Sequence, residues 1–252
     1  MTMINRTLAA VLLCAAPLFG HAAGGGACGQ VPCQHPDIDL GDEQSLQRGA
    51  KLFVDYCLSC HSASYQRYNR TGRDIGLSEE ELLSDYMHIT DKPGQLMKVA
   101  MAAEDAERWF GINVPDLSLV TRSRGPEWVY TYLLSFYKDE SRPFGVNNGV
   151  FKDVGMPHVL WELQGLKAAK KTTAGEGDDA GKVIEDFDTL RAGSMSDEEF
   201  QAAMSDLTNF LVYLGEPAKM VRTQVGTFVI LFLIVFTVLA YLLKKEYWKD
   251  IH

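Results

Sequence analysis

Cysteine is scarce in this 252-residue chain, and its five cysteines restrict the chemistry that the chain can carry. A zinc finger needs a second pair of cysteine or histidine ligands, and a thioredoxin-like dithiol needs a βαβ setting. Cys57 and Cys60 form one Cys-x-x-Cys unit, and Cys28 and Cys33 do not form a second one. Neither pattern is therefore visible. Basic residues are also in deficit, with 24 Lys and Arg against 33 Asp and Glu. An acidic chain of this kind disfavours nucleic acid as a partner.

Charged residues are missing from an apolar stretch near the beginning of the chain. It follows Arg6, runs from Leu8 to Phe19 and is followed by mostly small residues up to Ala23, a pattern typical of a secretory signal. The stretch is too short to anchor a protein in a bilayer. Cys14 lies inside it without the flanking residues of a lipoprotein cleavage site. We therefore expect residues 1–23 to be a signal peptide and the remainder to be exported.

A second stretch without charge, Val225–Leu243, lies near the other end and is long enough to cross about 30 Å of hydrocarbon. Lys244, Lys245 and Lys249 follow it, and the positive-inside rule places such residues in the cytoplasm. A buried helix of a soluble core is the alternative, but such helices rarely run this long without polar residues. The pattern predicts a single-pass protein of the bacterial inner membrane, with 222–243 as anchor, 244–252 as cytoplasmic tail and the main domain in the periplasm.

Without its two ends the chain is still more acidic. Five of the 24 basic residues and two of the 33 acidic residues lie outside 23–221, which leaves 19 and 31 and a net charge of −12. Such a surface favours a basic soluble protein that arrives by electrostatic steering. Simple solubility explains the charge equally well.

The segment Cys57-Leu58-Ser59-Cys60-His61 matches the attachment sequence of one covalently bound haem c. Two thioether bonds need two cysteines on one side of a helical turn, and the i, i+3 spacing supplies them. The adjacent His61 is then the first axial ligand of the iron. The other interpretations are half of a zinc site, a redox-active dithiol or a chance match.

The exported part divides into an extended arm, 24–41, and one haem-bearing domain, 42–221. The arm contains Cys28 and Cys33, and an oxidising compartment permits a disulfide between them without requiring one. The domain is predicted to be mainly α, a c-type haem domain with loop insertions, plus the C-terminal transmembrane helix. Helices are expected at 42–56, 78–87, 94–103, 126–137 and 195–214.

Several local patterns accompany these helices. Gly49 leaves room for a second backbone to approach the first helix, and Ser78 begins an apparent capping box. In the 94–103 helix, Met97 and Met101 share a face at i, i+4 spacing. Gly and Pro predict irregular structure at 110–119 and 139–157. The low-complexity segment 168–182 is interpreted as a mobile loop or the tip of a hairpin.

An electron carrier needs a second axial ligand, whereas a ligand-binding haem leaves that position open. The candidates in the exported part are His35, His88, His158 and seven methionines. Met156 is favoured because it lies between Gly155 and Pro157 in a loop, from which a thioether can reach the iron across a pocket. His158 and an open site remain as alternatives.

With these residues placed, the chain resembles the cytochrome c1 family over nearly its whole exported length. The resemblance is carried by the haem attachment sequence and by four further segments, Val114–Ser118, Arg122–Arg124, Gly155–Pro157 and Phe210–Pro217. In that family the proline-containing loop lies against the haem, the second arginine of Arg-x-Arg contacts a haem propionate, and the methionine is the distal ligand. The resemblance implies these roles for Pro115, Arg124 and Met156. A guanidinium can pair with a carboxylate through two hydrogen bonds, and a surface arginine is the alternative interpretation of Arg124.

The resemblance also implies a function in respiratory electron transport. The haem would accept electrons from a Rieske iron–sulfur protein and pass them to a c-type cytochrome. The chain would be embedded in membrane lipid beside a cytochrome b subunit, in a dimeric quinol–cytochrome c oxidoreductase (bc1 complex). It would break no substrate bond, and we find no general base, nucleophile or phosphate loop in the sequence. Acidic clusters at Glu79–Glu81 and Glu104–Glu107 are candidates for steering the acceptor.

Two other functions fit parts of the pattern. An anchored monohaem cytochrome of another oxidase or dehydrogenase would have a shorter gap than the 95 positions between His61 and Met156. A haem-based ligand sensor would leave the iron five-coordinate.

Overall fold

The computed structural model describes residues 27–99, 101–174 and 181–250, so the predicted signal peptide lies outside the described part. The helices are α1 (Glu43–Leu52), α2 (Tyr68–Asp74), α3 (Glu79–Glu81), α4 (Ala103–Phe110), α5 (Val120–Arg124), α6 (Pro126–Leu134), α7 (Trp161–Gln164), α8 (Asp197–Gly215) and α9 (Lys219–Tyr247). Short π-helical turns, Phe53–Cys57 and Leu82–Tyr86, extend α1 and α3. The prediction of a mainly helical domain with one C-terminal apolar helix is confirmed.

Within the described ranges, the strands form three separate antiparallel pairs. They are β1 (Ala63–Arg67) with β2 (Leu96–Met97), β3 (Phe136–Lys138) with β4 (Val146–Asn148), and β5 (Gly165–Ala174) with β6 (Gly181–Ala192). The third pair is a long hairpin that contains most of the segment predicted as a loop or hairpin tip. Residues 168–174 and 181–182 therefore belong to paired strands and not to a loop, and residues 175–180 lie outside the described part.

Helices α1 and α8 cross closely at Gly49. A Cβ atom added there would lie 2.1 Å from the main-chain oxygen of Asp206, so only glycine allows this approach. Beside the crossing, Arg48 donates two hydrogen bonds to the Asp206 carboxylate, at 2.6 and 3.0 Å. The prediction for Gly49 is confirmed. The crossing aligns the helix that leads into Cys57 with the longest helix of the domain.

The main core forms where α1, α6 and α8 meet. Leu46, Phe53, Met204 and Phe210 are completely shielded from solvent, and the rings of Phe53 and Phe210 lie 5.7 Å apart. Burial of such side chains contributes about 2 kcal/mol each. This core fixes the position of the π-helical turn that carries Cys57.

One helix start has the predicted capping box, and a second helix start has the same arrangement. The Ser78 hydroxyl accepts from the Glu81 backbone amide, and the Glu81 carboxylate accepts from the Ser78 amide, which completes a capping box. Ser196 and Glu199 form the same reciprocal pair at the start of α8. The 42–56 prediction corresponds to α1 and its π-helical turn, with Asp42 as N-cap.

The predicted helix 94–103 was wrong. A turn at Pro93 and Gly94 is closed by a 2.9 Å hydrogen bond from the Gln95 amide to the Lys92 oxygen, and the chain then enters β2 beside β1. Met97 is buried by this pairing, so its i, i+4 relation to Met101 does not reflect a helical face. The 126–137 helix was predicted too long, because α6 ends at Leu134 and β3 follows.

The arm is held to the domain by its backbone. Its described part, 27–41, contains no helix or strand, and a disulfide joins Cys28 to Cys33. The Gln30 amide donates to the Gly149 oxygen, and the Gln30 oxygen accepts from the Ile184 amide, both at 2.8 Å. Through these bonds the disulfide loop connects the segment after β4 to strand β6.

Helix α9 has the length and composition of a membrane span. Val225–Tyr247 has a mean hydropathy of 2.7, and none of its most apolar window is buried against the rest of the protein. Arg222 forms an ion pair with Glu216 just before this segment. Nineteen consecutive residues without charge and an unpacked apolar surface favour a lipid environment.

Candidate haem site

All six residues predicted for the site line one apolar cavity of about 430 Å³ or a smaller one beside it. Cys57 and Arg124 line the larger cavity, and Cys60 lines the smaller one. The remaining three, His61, Pro115 and Met156, line both. Cofactor pockets typically occupy about 300–1,000 Å³. The six residues are up to 99 positions apart in the sequence, and the fold places them around these two neighbouring cavities.

The cysteine-bearing turn is shaped by the end of α1. The Leu58 amide donates to the Phe53 oxygen at 2.9 Å, which widens the last turn, and the His61 amide then donates to the Cys57 oxygen at 2.8 Å. Burial, with a smaller contribution from Cys60, raises the pKa of the Cys57 thiol to about 12. A thiol of that pKa is a poor nucleophile at neutral pH, which argues against a redox-active dithiol.

His61 is oriented by the loop that contains Pro115. Its Nδ1 lies 2.8 Å from the Pro115 main-chain oxygen, which can only accept a hydrogen bond, so Nδ1 carries the proton. Nε2 keeps its lone pair and is the nitrogen able to bind a metal. Burial lowers the pKa of His61, and the Pro115 oxygen and the Asp116 carboxylate oppose this shift.

The Pro115 loop is fastened to the chain that follows His61. The Asp116 carboxylate accepts from the Ser64 amide at 2.9 Å and from the Ser118 amide at 2.8 Å. The Leu117 amide donates to the Ser62 oxygen at 2.8 Å. Burial alone would raise the pKa of Asp116, but the hydrogen bonds from Ser118 and Ser64 lower it. Asp116 was part of a recognised motif, yet this positioning contact is visible only in the structure.

Two asparagines that the sequence did not single out shape the loop before Met156. The Asn148 side-chain oxygen accepts from the Val150 and Phe151 amides, at 2.9 and 3.1 Å. The Asn147 side-chain oxygen accepts from the Asp153 amide at 2.8 Å. Both side chains are buried, so the bonds form in a poorly solvated setting. Asn side chains that hydrogen-bond nearby amides are typical of turns, which was the available signal.

Met156 itself is half-buried and contacts a tyrosine. The Tyr132 hydroxyl donates to the Met156 sulfur, with 3.2 Å between the two atoms. Burial raises the pKa of Tyr132, so its hydroxyl keeps its proton at neutral pH. The sequence predicted a helix at 126–137 and did not single out Tyr132. An acceptor methionine gives no sequence signal.

A column of side chains at i, i+4 spacing runs along α5, α6 and β3. The Arg124 guanidinium lies 5.2 Å from the centre of the Trp128 ring, which stacks on Tyr132 at 5.2 Å and an interplanar angle of 9°. Phe136 then meets Tyr132 edge-on, also at 5.2 Å. The column places Arg124 and Tyr132 along one wall of the larger cavity.

The other candidate ligands lie elsewhere. The His158 ring is buried and stacks on Phe136 at 4.8 Å, outside both cavity linings. His88 lies 3.0 Å from the Asp55 carboxylate, and the His35 side chain is 81% exposed beside Glu127. Among the residues that the structure describes, the cavity linings contain one histidine, His61, and one methionine, Met156.

The donor set fits a covalently bound haem. Two thiols lie on adjacent turns, an imidazole has its Nε2 free to ligate, a thioether projects from a separate loop, and a guanidinium lies on the wall. The cavity is apolar over most of its surface, as a porphyrin requires. Its polar groups, apart from Asp116 and Ser123, are those that would contact the cofactor or its ligands.

A mainly helical domain with this donor set, followed by one helix of membrane length, defines the class of membrane-anchored c-type cytochromes. The model of the cytochrome c1 family matches residues 38–251. The chain belongs to the cytochrome c1 family. Membership implies covalent haem c, electron transport and a place in a bc1 complex with cytochrome b and a Rieske protein.

Similar proteins cover the whole chain. A cytochrome c1 of Allochromatium vinosum is 46% identical over 99% of this chain and 100% of its own length. A protein of Nitrosomonas europaea named ammonia monooxygenase gamma subunit is 45% identical over 100% of both chains. A cytochrome c1 of Cereibacter sphaeroides is 25% identical over 91% of this chain and 90% of its own length.

Proposed function

We propose that this chain is the haem subunit of a quinol–cytochrome c oxidoreductase, which accepts electrons from the Rieske iron–sulfur protein and passes them singly to a c-type cytochrome. The observation that carries the proposal is the convergence of Cys57, Cys60, His61 and Met156 on two apolar cavities that share His61 and Met156 in their linings. A haem iron bound by imidazole and thioether cycles between ferrous and ferric states at a raised potential. Family membership supports the same function.

Each residue would have a distinct task. Cys57 and Cys60 would hold the porphyrin through thioether bonds, and His61 and Met156 would supply the nitrogen and sulfur ligands of its iron. The Pro115 oxygen would keep His61 in the required tautomer, since it accepts from Nδ1. Arg124, which lines the cavity and remains exposed to solvent, would pair with a propionate.

The membrane topology follows from the sequence pattern. Residues 1–23 would be removed, 24–41 and 42–221 would form the periplasmic arm and haem domain, 222–243 would cross the inner membrane, and 244–252 would be cytoplasmic. The three lysines after the span support this orientation. In this arrangement the cavity lies on the side where soluble periplasmic cytochromes are available.

Purification from membranes in mild detergent tests the proposal. Covalent haem should stay with this chain in denaturing gels, and haem b and an iron–sulfur signal should co-purify with it. Covalent haem without those two companions would favour an anchored cytochrome of another oxidase or dehydrogenase. A chain without covalent haem would refute the proposal.

A haem-based ligand sensor is the second candidate function. Such a sensor would need an open position on the iron for a gaseous ligand. A difference spectrum of the ferrous protein, with CO minus without CO, separates the sensor from the electron carrier. The carrier proposed here should bind CO poorly, because Met156 would occupy the sixth position.

A further inference from the structure

The hydroxyl of Tyr132 is aimed at the sulfur of Met156. The distance of 3.2 Å is within hydrogen-bonding range for a sulfur acceptor, and the hydroxyl is the donor. A thioether sulfur has two lone pairs, so it can bind a metal with one and accept a hydrogen bond with the other. Tyr132 therefore contacts the atom that the proposed function assigns to the iron.

The tyrosine ring is held in place on two sides. Trp128 stacks on it with nearly parallel rings, and Phe136 packs against it edge-on, with both ring centres 5.2 Å away. Such contacts restrict the ring more than burial alone. The hydroxyl thus has a fixed direction toward Met156.

The main chain of Tyr132 contacts the same loop. The Asn148 side-chain amide donates to the Tyr132 oxygen at 2.8 Å, and the other end of Asn148 accepts from the amides of Val150 and Phe151. Helix α6 and the loop that carries Met156 are therefore joined at two points on one residue. The hydrogen bond to the sulfur is part of a fixed arrangement.

We propose that Tyr132 sets the redox potential of this protein by donating a hydrogen bond to the Met156 thioether. The inference rests on the proposed function, because it needs Met156 to be an iron ligand. A hydrogen bond withdraws electron density from the sulfur, which makes it a weaker donor to ferric iron and favours the ferrous state. Tyr132 is a positioning and tuning residue that does not itself ligate the iron.

The test compares Tyr132→Phe with Tyr130→Phe in the full-length haem protein in detergent. Tyr132→Phe keeps the ring between Trp128 and Phe136 and removes only the hydroxyl. Tyr130 lies on the same helix, but its hydroxyl contacts the Gln201 oxygen at 3.4 Å and it lines neither cavity. The two readouts are the midpoint potential and the charge-transfer band of a methionine-ligated ferric haem.

Tyr132→Phe should lower the midpoint potential and keep the methionine band, while Tyr130→Phe should leave both unchanged. The ratio of ferrous to ferric protein at a fixed electrode potential should fall by up to about tenfold, equivalent to about 59 mV for one electron. An unchanged potential in Tyr132→Phe would overturn the inference and leave the proposed function intact. Loss of the methionine band in that variant would also overturn it, because the hydroxyl would then be needed to hold Met156 in place and not to tune the potential of a ligand that stays bound. A wild-type protein without the band would instead refute Met156 as ligand.

Discussion

The main-chain oxygen of Pro115 lies 2.8 Å from Nδ1 of His61 and so determines which nitrogen of the ring carries the proton. The two residues are 54 positions apart, and the acceptor is a main-chain oxygen and not a side-chain atom. A carbonyl acceptor on the far nitrogen makes an imidazole a stronger ligand and fixes its plane. The contact depends on how firmly the Pro115 loop is held, and Asp116 holds this loop by accepting hydrogen bonds from the Ser64 and Ser118 amides.

Replacement of Asp116 by Ala should destabilise the domain. It removes the acceptor of the Ser64 and Ser118 amides, and the loss of such bonds should lower the free energy of unfolding by about 1–2 kcal/mol. Denaturant unfolding of the haem protein in detergent measures this change. Asp105→Ala is the control, because Asp105 only pairs with the exposed Arg108 at 3.3 Å.

The contribution of Asp116 should also depend on pH with a definite sign. Its pKa is lower in the folded protein, so its stabilising effect is complete above the pKa of the unfolded chain and is lost as the pH falls through the lower, folded value. The difference between wild type and Asp116→Ala should therefore shrink in acid. A difference that grows on acidification would contradict the assigned contacts.

Replacement of Met156 by Leu tests the sixth ligand. Axial ligands set haem potentials over about 0.8 V, so loss of the thioether should lower the midpoint potential by at least about 100 mV. The ferrous variant should also bind CO, which a redox titration and a difference spectrum would show. Met97→Leu is the control, since Met97 is buried in the main core and lines neither cavity. Equal potentials for the Met156 and Met97 variants would count against this ligand.

The sequence was most informative where the chemistry is carried by residue type and short spacing. The attachment segment, the loop methionine, the capping boxes and the tightly packed Gly49 each follow from local rules on geometry. The apolar span near the end is equally local, because a run without charge needs no knowledge of tertiary contacts.

Contacts between distant segments could not be predicted in this way. The error at 94–103 arose because Met97 lies in β2, which pairs with β1 about 30 positions earlier in the chain. The i, i+4 spacing of Met97 and Met101 therefore looked like one face of a helix although Met97 belongs to a strand. Tyr132 gave no signal because its partner is a sulfur, and Asn148 gave only the general preference of Asn for turns, because any neighbouring loop can supply the main-chain amides that it binds. The role of the Pro115 carbonyl is independent of side-chain identity, so residue types cannot show it.

Removal of the disulfide should loosen the arm and reduce stability. In Cys28→Ser/Cys33→Ser the unfolded chain regains the entropy of a short loop, a loss of about 2 kcal/mol of stability. The amides of Gln30 and Ile184, which donate to Gly149 and Gln30 respectively, should exchange with solvent faster. Hydrogen exchange resolved by residue measures this, with the Leu58 amide in the cysteine-bearing turn as internal reference. Unchanged protection at Gln30 and Ile184 would show that the arm docks without its crosslink.

Two acidic clusters, Glu79–Glu81 and Glu104–Glu107, are candidates for the surface that steers a basic acceptor. The position of α4 favours the second cluster. Phe110, at the end of α4, lines the smaller cavity, so Glu104 and Glu107 lie on a helix that reaches the haem site. Glu79 and Glu80 begin α3 and line neither cavity. Glu104→Gln/Glu107→Gln should therefore slow electron transfer to a basic soluble cytochrome by about two- to tenfold at low ionic strength.

The matched control for this experiment is Glu79→Gln/Glu80→Gln, which removes the same number of charges from a helix that contributes no residue to either cavity lining. Stopped-flow rates measured over a series of salt concentrations should converge for all three proteins, because mobile ions screen exposed charges beyond about 10 Å at 0.1 M salt. Equal slowing by both pairs would mean that net charge, and not the α4 surface, governs the encounter. Rates that do not respond to salt in the wild type would remove electrostatic steering altogether, and the acidic surface would then serve solubility alone.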